Sequence, residues 1–129
     1  MSEPRWLTRT IVDALHAMLL AEHGGSAGVR DENGLEAALA RPRQKDHYET
    51  ADILEPAAAY AYGLSTGHPF VDGNKRMALA ASDVFLRLNG WALDATEVDA
   101  TATMIELAAG QLSEQELVAW VRGNAVRLP

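Results

Sequence analysis

From Asn74 to Asn89 the apolar residues Met77, Ala80, Ala81, Val84, Phe85 and Leu88 recur at steps of three and four. That is the period of an α-helix with one buried face. The same spacing returns along the chain between helix punctuators. Thr8 or Thr10 is placed to cap a first helix with an apolar face of Ile11, Val12, Leu15, Met18 and Leu19, stopped by Gly24-Gly25. Asp31 caps a second, short helix carrying Leu35, Ala38 and Leu39, expected to end before Pro42. Asp52 caps a third, in which Leu54, Ala57, Ala58, Ala61 and Leu64 form a thin stripe and Pro56 falls near the first turn. Asn89-Gly90 closes the fourth helix, and Trp91 to Asp94 reads as short and extended. Thr96 opens a fifth helix through Met104, Ile105 and Ala108, closed by Gly110. Ser113 and Glu116 have capping-box spacing before a sixth, with Leu117, Trp120 and Val121. The expected fold class is all-α: a compact bundle of about six helices in one domain, residues 1–129. Residues 43–50, with His47 and Tyr48, read as a polar loop or short flap.

At 129 residues the chain is long enough for a real core, since about two-thirds of the unfolded surface is buried at this size. Nearly half of it, 48%, is hydrophobic, much of that alanine, which suits closely packed helices and argues against disorder. Without cysteine there are no disulfides or thiolate metal sites. The net charge is -7 and Lys and Arg form no long stripe, so no direct nucleic-acid partner is expected. No apolar run is long enough for a membrane span, and Met1 to Arg5 lacks a signal-peptide pattern, so no membrane partner and a cytoplasmic location are expected.

The segment joining the third and fourth helices is His68-Pro69-Phe70-Val71-Asp72-Gly73-Asn74-Lys75-Arg76. It ends at a helix N-terminus, where free backbone N–H groups and the positive dipole end favour an anion. Lys75 and Arg76 fall in the first helical turn, where each cation is misplaced by about a few tenths of a kcal/mol unless an anion compensates. A solvated basic pair is the plainer reading, but the unfavourable position favours a ligand, with Arg gripping phosphate bidentately and Lys acting as a point charge. His68 has the residue type to take a proton from a hydroxyl near neutral pH, or it ties the loop down. Asp72 is either a hard-oxygen Mg²⁺ ligand or the acceptor of an Asx-turn or helix cap. Asn74 orients a phosphate or water, caps the fourth helix, or does both. Gly73 lets backbone approach a phosphate, or simply makes the turn. Asp72-Gly73 is also a hairpin signal, but the helical period after it speaks against strands. Phe70 is expected to anchor the loop in the core, with Pro69 limiting its freedom. His16 reads as a packing histidine, and His23 as a helix-end residue explained by the dipole.

Together, these residues resemble the signature His-Pro-Phe-x-Asp-Gly-Asn-Lys-Arg of the Fic/Doc superfamily, and specifically its death-on-curing (Doc) toxin branch. Leu15-His16, His23-Gly24-Gly25, Gly28-Val29-Arg30-Asp31, Leu35 to Pro42 and Phe85 to Gly90 extend the resemblance over roughly residues 5 to 125, in the right order. It implies a catalytic loop before the N-terminus of a central helix, and transfer from a nucleotide to a protein hydroxyl. His68, Asp72 and Lys75 are then catalytic, Asp72 is the metal ligand, and Gly73, Asn74, Lys75 and Arg76 bind the nucleotide phosphates. ATP and Mg²⁺ are the implied cofactors.

AMP-transferring Fic enzymes resemble His-Pro-Phe-x-x-Gly-Asn-Gly-Arg-x-x-Arg. Here Lys75 stands at the second glycine and Leu79 at the last arginine. The resemblance therefore implies a Doc-like protein kinase that phosphorylates a Thr or Ser, with elongation factor Tu as target, and so inhibits translation. AMP transfer, or a non-catalytic regulatory module on the same fold, are the alternatives. The chain has no Ser/Thr-x-x-x-Glu inhibitory motif. Inhibition in trans by a Phd-like antitoxin is the consistent expectation, with the flap docking the target.

Overall fold

The computed structural model describes residues 3–45 and 52–129. Six helices follow one another: α1 (Arg9–His23), α2 (Glu32–Gln44), α3 (Leu54–Gly67), α4 (Asn74–Leu88), α5 (Glu97–Ala108) and α6 (Glu114–Asn124). The strands β1 (Trp91–Leu93) and β2 (Ala125–Arg127) pair antiparallel, with Ala92 opposite Val126. This is the all-α bundle that the periodicity implies, closed by one small ribbon. The extended stretch after α4 was legible; its partner at the C-terminus was not. Arg127 lies across the Trp91 ring at 5.1 Å, a cross-strand pair that holds the ribbon.

Caps set the helix starts. Thr8 accepts the Ile11 N–H, Asp31 the Gly34 N–H and Thr96 the Asp99 N–H. Ser113 and Glu116 form a reciprocal capping box. Asp52 works one residue early: Ile53 occupies the cap position of α3, while the Asp52 carboxylate accepts the Leu54 N–H at 2.9 Å. Helix α2 does not end before Pro42 but runs through it to Gln44. Proline in the last turn forgoes a single hydrogen bond, and its ring is fully buried, which offsets that loss. Arg43 and Gln44, expected in the flap, thus belong to α2, and residues 46–51, including His47 and Tyr48, lie outside the described residues.

Helix α3 sits at the centre. It is buried continuously from Pro56 to Ala61, all round rather than along a thin stripe, and alanine is what allows neighbours so close. A Cβ on Gly63 would stand 3.2 Å from Ala38 Cα, so α2 and α3 meet nearly backbone to backbone. Tyr60 and Phe85 are fully buried with ring centres 5.0 Å apart, and Trp6 stacks on Phe85 at 5.6 Å. The Tyr60 hydroxyl accepts the Leu7 N–H, so this buried oxygen has a partner. Burial pushes its pKa up despite that bond. Val12 and Leu15 of α1 join this core, whereas Met18 is 52% exposed and leaves the expected apolar face. Ile105 of α5 is exposed too.

Polar ties brace the bundle outside the core. Arg41 of α2 donates from Nε to Glu114 at the start of α6 at 3.1 Å, and Lys45 stands 3.7 Å from the same carboxylate. Burial works to raise the Glu114 carboxyl, but the hydrogen bond and charge of Arg41 outweigh it and hold the group below its usual value. A carboxyl lowered on folding stabilises the native state above its unfolded pKa, and that contribution fades as pH falls through the folded value. Glu114→Gln should therefore lower the melting temperature at pH 7 by about 3 °C, roughly 1 kcal/mol at this chain length. The gap from wild type should close as pH drops below the ordinary carboxylate range, as followed by thermal melts across pH.

Candidate active site

The segment from His68 to Gly73 is the turn between α3 and α4, and its backbone is fastened on three sides. The Asn74 side chain reaches back over the turn: its Oδ1 accepts the Phe70 N–H at 2.9 Å and its Nδ2 donates to the Phe70 carbonyl at 3.0 Å. The Gly28–Asp31 segment runs alongside, with Arg30 and Asp31 N–H groups donating to the Pro69 carbonyl and Val71 N–H to the Gly28 carbonyl. An isolated bridge pairs Val29 with Phe70. From beneath, His16 stacks on the buried Phe70 ring with centroids 4.1 Å apart. Its Nε2–H donates to the Asp72 carbonyl at 2.9 Å. The packing role expected of His16 and the anchor expected of Phe70 are both present.

Two sequence readings of this turn change. Asn74 does not cap α4. Gly73 holds the cap position in the left-handed region (φ 80°), and Asn74 is the first helical residue, its side chain spent on the turn. Asp72 forms no Asx-turn of the usual kind. One carboxylate oxygen accepts the adjacent Gly73 N–H at 2.8 Å and the other accepts Ser26 N–H at 3.3 Å. With no side-chain cap, the amides of Asn74, Lys75 and Arg76 precede the first intrahelical bond, which Met77 donates to Gly73. Like the first amides of any helix, they have no intrahelical acceptor.

His68 is the C-cap of α3 and the only described non-glycine residue with positive φ (φ 45°, ψ 52°). A left-handed histidine is uncommon. The guanidinium of Arg30 grips its carbonyl through both Nε and Nη2, which holds the peptide in place and leaves the imidazole exposed.

A cleft of about 550 Å³ opens beside this turn. His68, Asp72, Gly73, Asn74, Lys75 and Arg76 all line it, so every site residue expected from the sequence meets in one place. Among the described residues Lys75 and Arg76 have no acidic partner. Of the rest of the lining, Leu79 stands where the resemblance puts the last arginine of the motif, and the others were not assigned to the site. His23 enters from the end of α1, Leu79 from the second turn of α4, and Glu97, Thr101, Met104 and Ile105 from one face of α5. The spacing 97, 101, 104, 105 is a helical face, but nothing in the sequence says that this face looks at the turn. Among the described residues no group of three His, Cys, Asp or Glu side chains is placed to hold a metal ion. A cation here would have Asp72 as its protein carboxylate and take its other ligands from a substrate and water.

This is a helical bundle with an uncapped helix N-terminus beside an exposed histidine, and the chain belongs to the Fic/DOC family, whose sequence model matches residues 6–86. Relatives include the protein kinase doc of Escherichia phage P1, 38% identical over 78 residues, which make up 60% of this chain and 62% of that protein. Toxin Doc of Mycolicibacterium smegmatis is 39% identical over 106 residues, 79% of this chain and 82% of that protein. Both are Doc proteins, and the resemblance to the Doc branch holds. Among the described residues no helix is long and apolar enough to cross a membrane.

The second tie on Asp72 depends on Gly25. Its φ of 120° is outside the range that other residues adopt easily, and a Cβ there would lie 2.8 Å from Asp72 Oδ2. Gly24 also has positive φ, but a Cβ there would meet nothing within 4 Å. Gly25→Ala and Gly24→Ala should each cost roughly 1–3 kcal/mol in urea unfolding from backbone strain. Only Gly25→Ala should also shift the amide resonances of Asp72 and Gly73.

Proposed function

We propose that this protein, acting as one Fic/Doc-like domain over residues 1–129, is the toxin of a toxin–antitoxin pair. It transfers the γ-phosphoryl group of ATP to a threonine or serine hydroxyl of a protein, with elongation factor Tu as the target to test first. The observation that carries this reading is the meeting, in one cleft, of an exposed imidazole with a helix N-terminus bearing two cations that have no acidic partner among the described residues. Phosphoryl transfer asks a protein mainly to position groups and neutralise charge, and this cleft is equipped for both.

In the proposed reaction the acceptor O–H attacks the γ-phosphorus. The new O–P bond forms as the bond from that phosphorus to the β,γ-bridging oxygen breaks, and ADP leaves. His68 takes the acceptor's proton and passes it to solvent. The Asn74, Lys75 and Arg76 amides, with the Lys75 and Arg76 side chains, hold the phosphate oxygens, and Gly73 keeps that approach clear. Asp72 fits as the carboxylate for Mg²⁺, because it already turns one oxygen to each of two backbone N–H groups and keeps lone pairs free. Mg²⁺ would supply charge neutralisation at the phosphates. Lys75, where AMP-transferring relatives have glycine, supports phosphoryl over adenylyl transfer. The absence of an internal inhibitory motif supports a Phd-like antitoxin acting in trans.

Incubation with elongation factor Tu, Mg²⁺ and ATP labelled at either the α- or the γ-phosphate tests this. Label from the γ position should be transferred, with a loss of about 100-fold or more in His68→Ala. Arg30→Ala, which frees the His68 carbonyl, should lower kcat by about tenfold with KM for ATP little changed. Transfer of the α label would assign AMP transfer instead, and failure to bind ATP with Mg²⁺ would assign a regulatory module.

A further inference from the structure

Gly73 leaves the turn a choice of backbone that glycine itself does not make. Its φ of 80° and ψ of 19° are close to the third position of a type II turn, about 80° and 0°. Rotating the Asp72–Gly73 peptide by half a turn would carry that φ to the type I value of about −90°. Glycine adopts both conformations freely, so a neighbour has to select one.

The two ends of this trans peptide point in opposite directions and are held by different partners. The Asp72 carbonyl accepts the Nε2–H of His16 at 2.9 Å, while the Gly73 N–H donates to Asp72 Oδ1 at 2.8 Å. A carbonyl only accepts, so the first bond requires the Nε2–H tautomer of His16. The ring reaches the peptide from a fixed seat. It stacks on Phe70 with centroids 4.1 Å apart, and its Nε2 would lie 3.7 Å from a Cβ built on Gly73. His16 is buried and is not part of the cleft lining, whereas Asp72 and Gly73 are. The carbonyl is therefore turned away from the cleft. In the flipped peptide its oxygen would meet the ionised Asp72 carboxylate, and the Gly73 N–H would meet the His16 Nε2–H. With this tautomer the flip loses both bonds and puts a partial negative charge on the side that Lys75 and Arg76 make attractive to phosphate.

We infer that His16 is a positioning residue of the active site: its Nε2–H selects the peptide orientation that keeps the Asp72 carbonyl out of the cleft and the Gly73 N–H on the Asp72 carboxylate. This role rests on the proposed nucleotide reading and adds to it a residue of α1 that touches no substrate. Packing and hydrogen bonding at His16 can be separated. His16→Phe keeps a ring to stack on Phe70 and gives up the donor. His16→Gln keeps an N–H donor near the place of Nε2 and gives up the ring.

Ring and backbone ¹⁵N spectra of the ligand-free full chain, with thermal melts and titration of ATP in Mg²⁺, test this. Wild type should show the Nε2–H tautomer and a single Gly73 amide resonance. In His16→Phe that resonance should move or split, and ATP should bind about tenfold more weakly, the range of one hydrogen bond. His16→Gln should return both towards wild type although it melts lower, so that binding follows the donor and melting follows the ring. An Nδ1–H tautomer in wild type would overturn the inference, and that observation needs no variant to fold. An unmoved Gly73 amide in His16→Phe would overturn it too, as would equal losses of binding in both variants, which packing alone explains. Failure of wild type to bind ATP would remove the nucleotide reading and the role of His16 in it. The ligand-free spectra tell that failure from a failure of the peptide lock.

Discussion

The closure of the α3–α4 turn by Asn74 is the contact on which the site depends. A single side chain satisfies both the N–H and the C=O of Phe70, which buries the Phe70 ring and fixes where the turn begins and ends. An unpaired buried backbone group costs about 1–3 kcal/mol, so two such bonds at one residue select one conformation of the turn strongly. Everything exposed nearby is then placed by backbone geometry. His68 stands before the anchored residue, Asp72 and Gly73 stand after it, and the free amides of α4 follow. His68, Lys75 and Arg76 take their places from the backbone, whereas the Asp72 carboxylate is also held by the Ser26 and Gly73 N–H groups.

The electrostatics follow the same division. The protein is acidic overall, and most of its cations are engaged in ties such as Arg9 with Asp13 and Glu32, Arg41 with Glu114, and Arg122 with Asp52. Lys75 and Arg76 sit instead at the positive end of a helix, which is a cost to the fold. An anion bound between them would remove it. The cost has the character expected of a functional site, where local stability is given up for a ligand that is not always present.

Most of the fold was legible because each helix carries its own start signal and its own period. Asp31, Thr96 and Ser113 cap where the sequence places them, and of Thr8 and Thr10 it is Thr8 that caps α1. The failures came where tertiary packing overrides local preference. Pro42 stays helical because its ring is buried, and Met18 is 52% exposed although it keeps the spacing of the apolar face. The strand β2 could not be read from three residues whose only signal is their partner in β1. The site was legible where it is contiguous, from His68 to Arg76. Its other half was not, because Glu97, Thr101, Met104 and Ile105 are on a helix whose orientation is set by packing against α3 and α4, and no local pattern records that.

Arg30 shows how widely separated parts of the chain are joined at this turn. Its N–H and that of Asp31 both donate to Pro69, its side chain holds the His68 carbonyl, and the carboxylate of Asp31 caps α2. The start of α2 and the turn before α4 are thus one hydrogen-bonded unit. His68 occupies a left-handed conformation that a histidine adopts only at a cost, and the unit that holds it there comes from a segment some forty positions earlier. The Gly28–Asp31 block of the family resemblance therefore has a physical meaning beyond its order in the chain. It is the clamp on the α3–α4 turn, and a change there would act on His68 from outside the lining of the cleft.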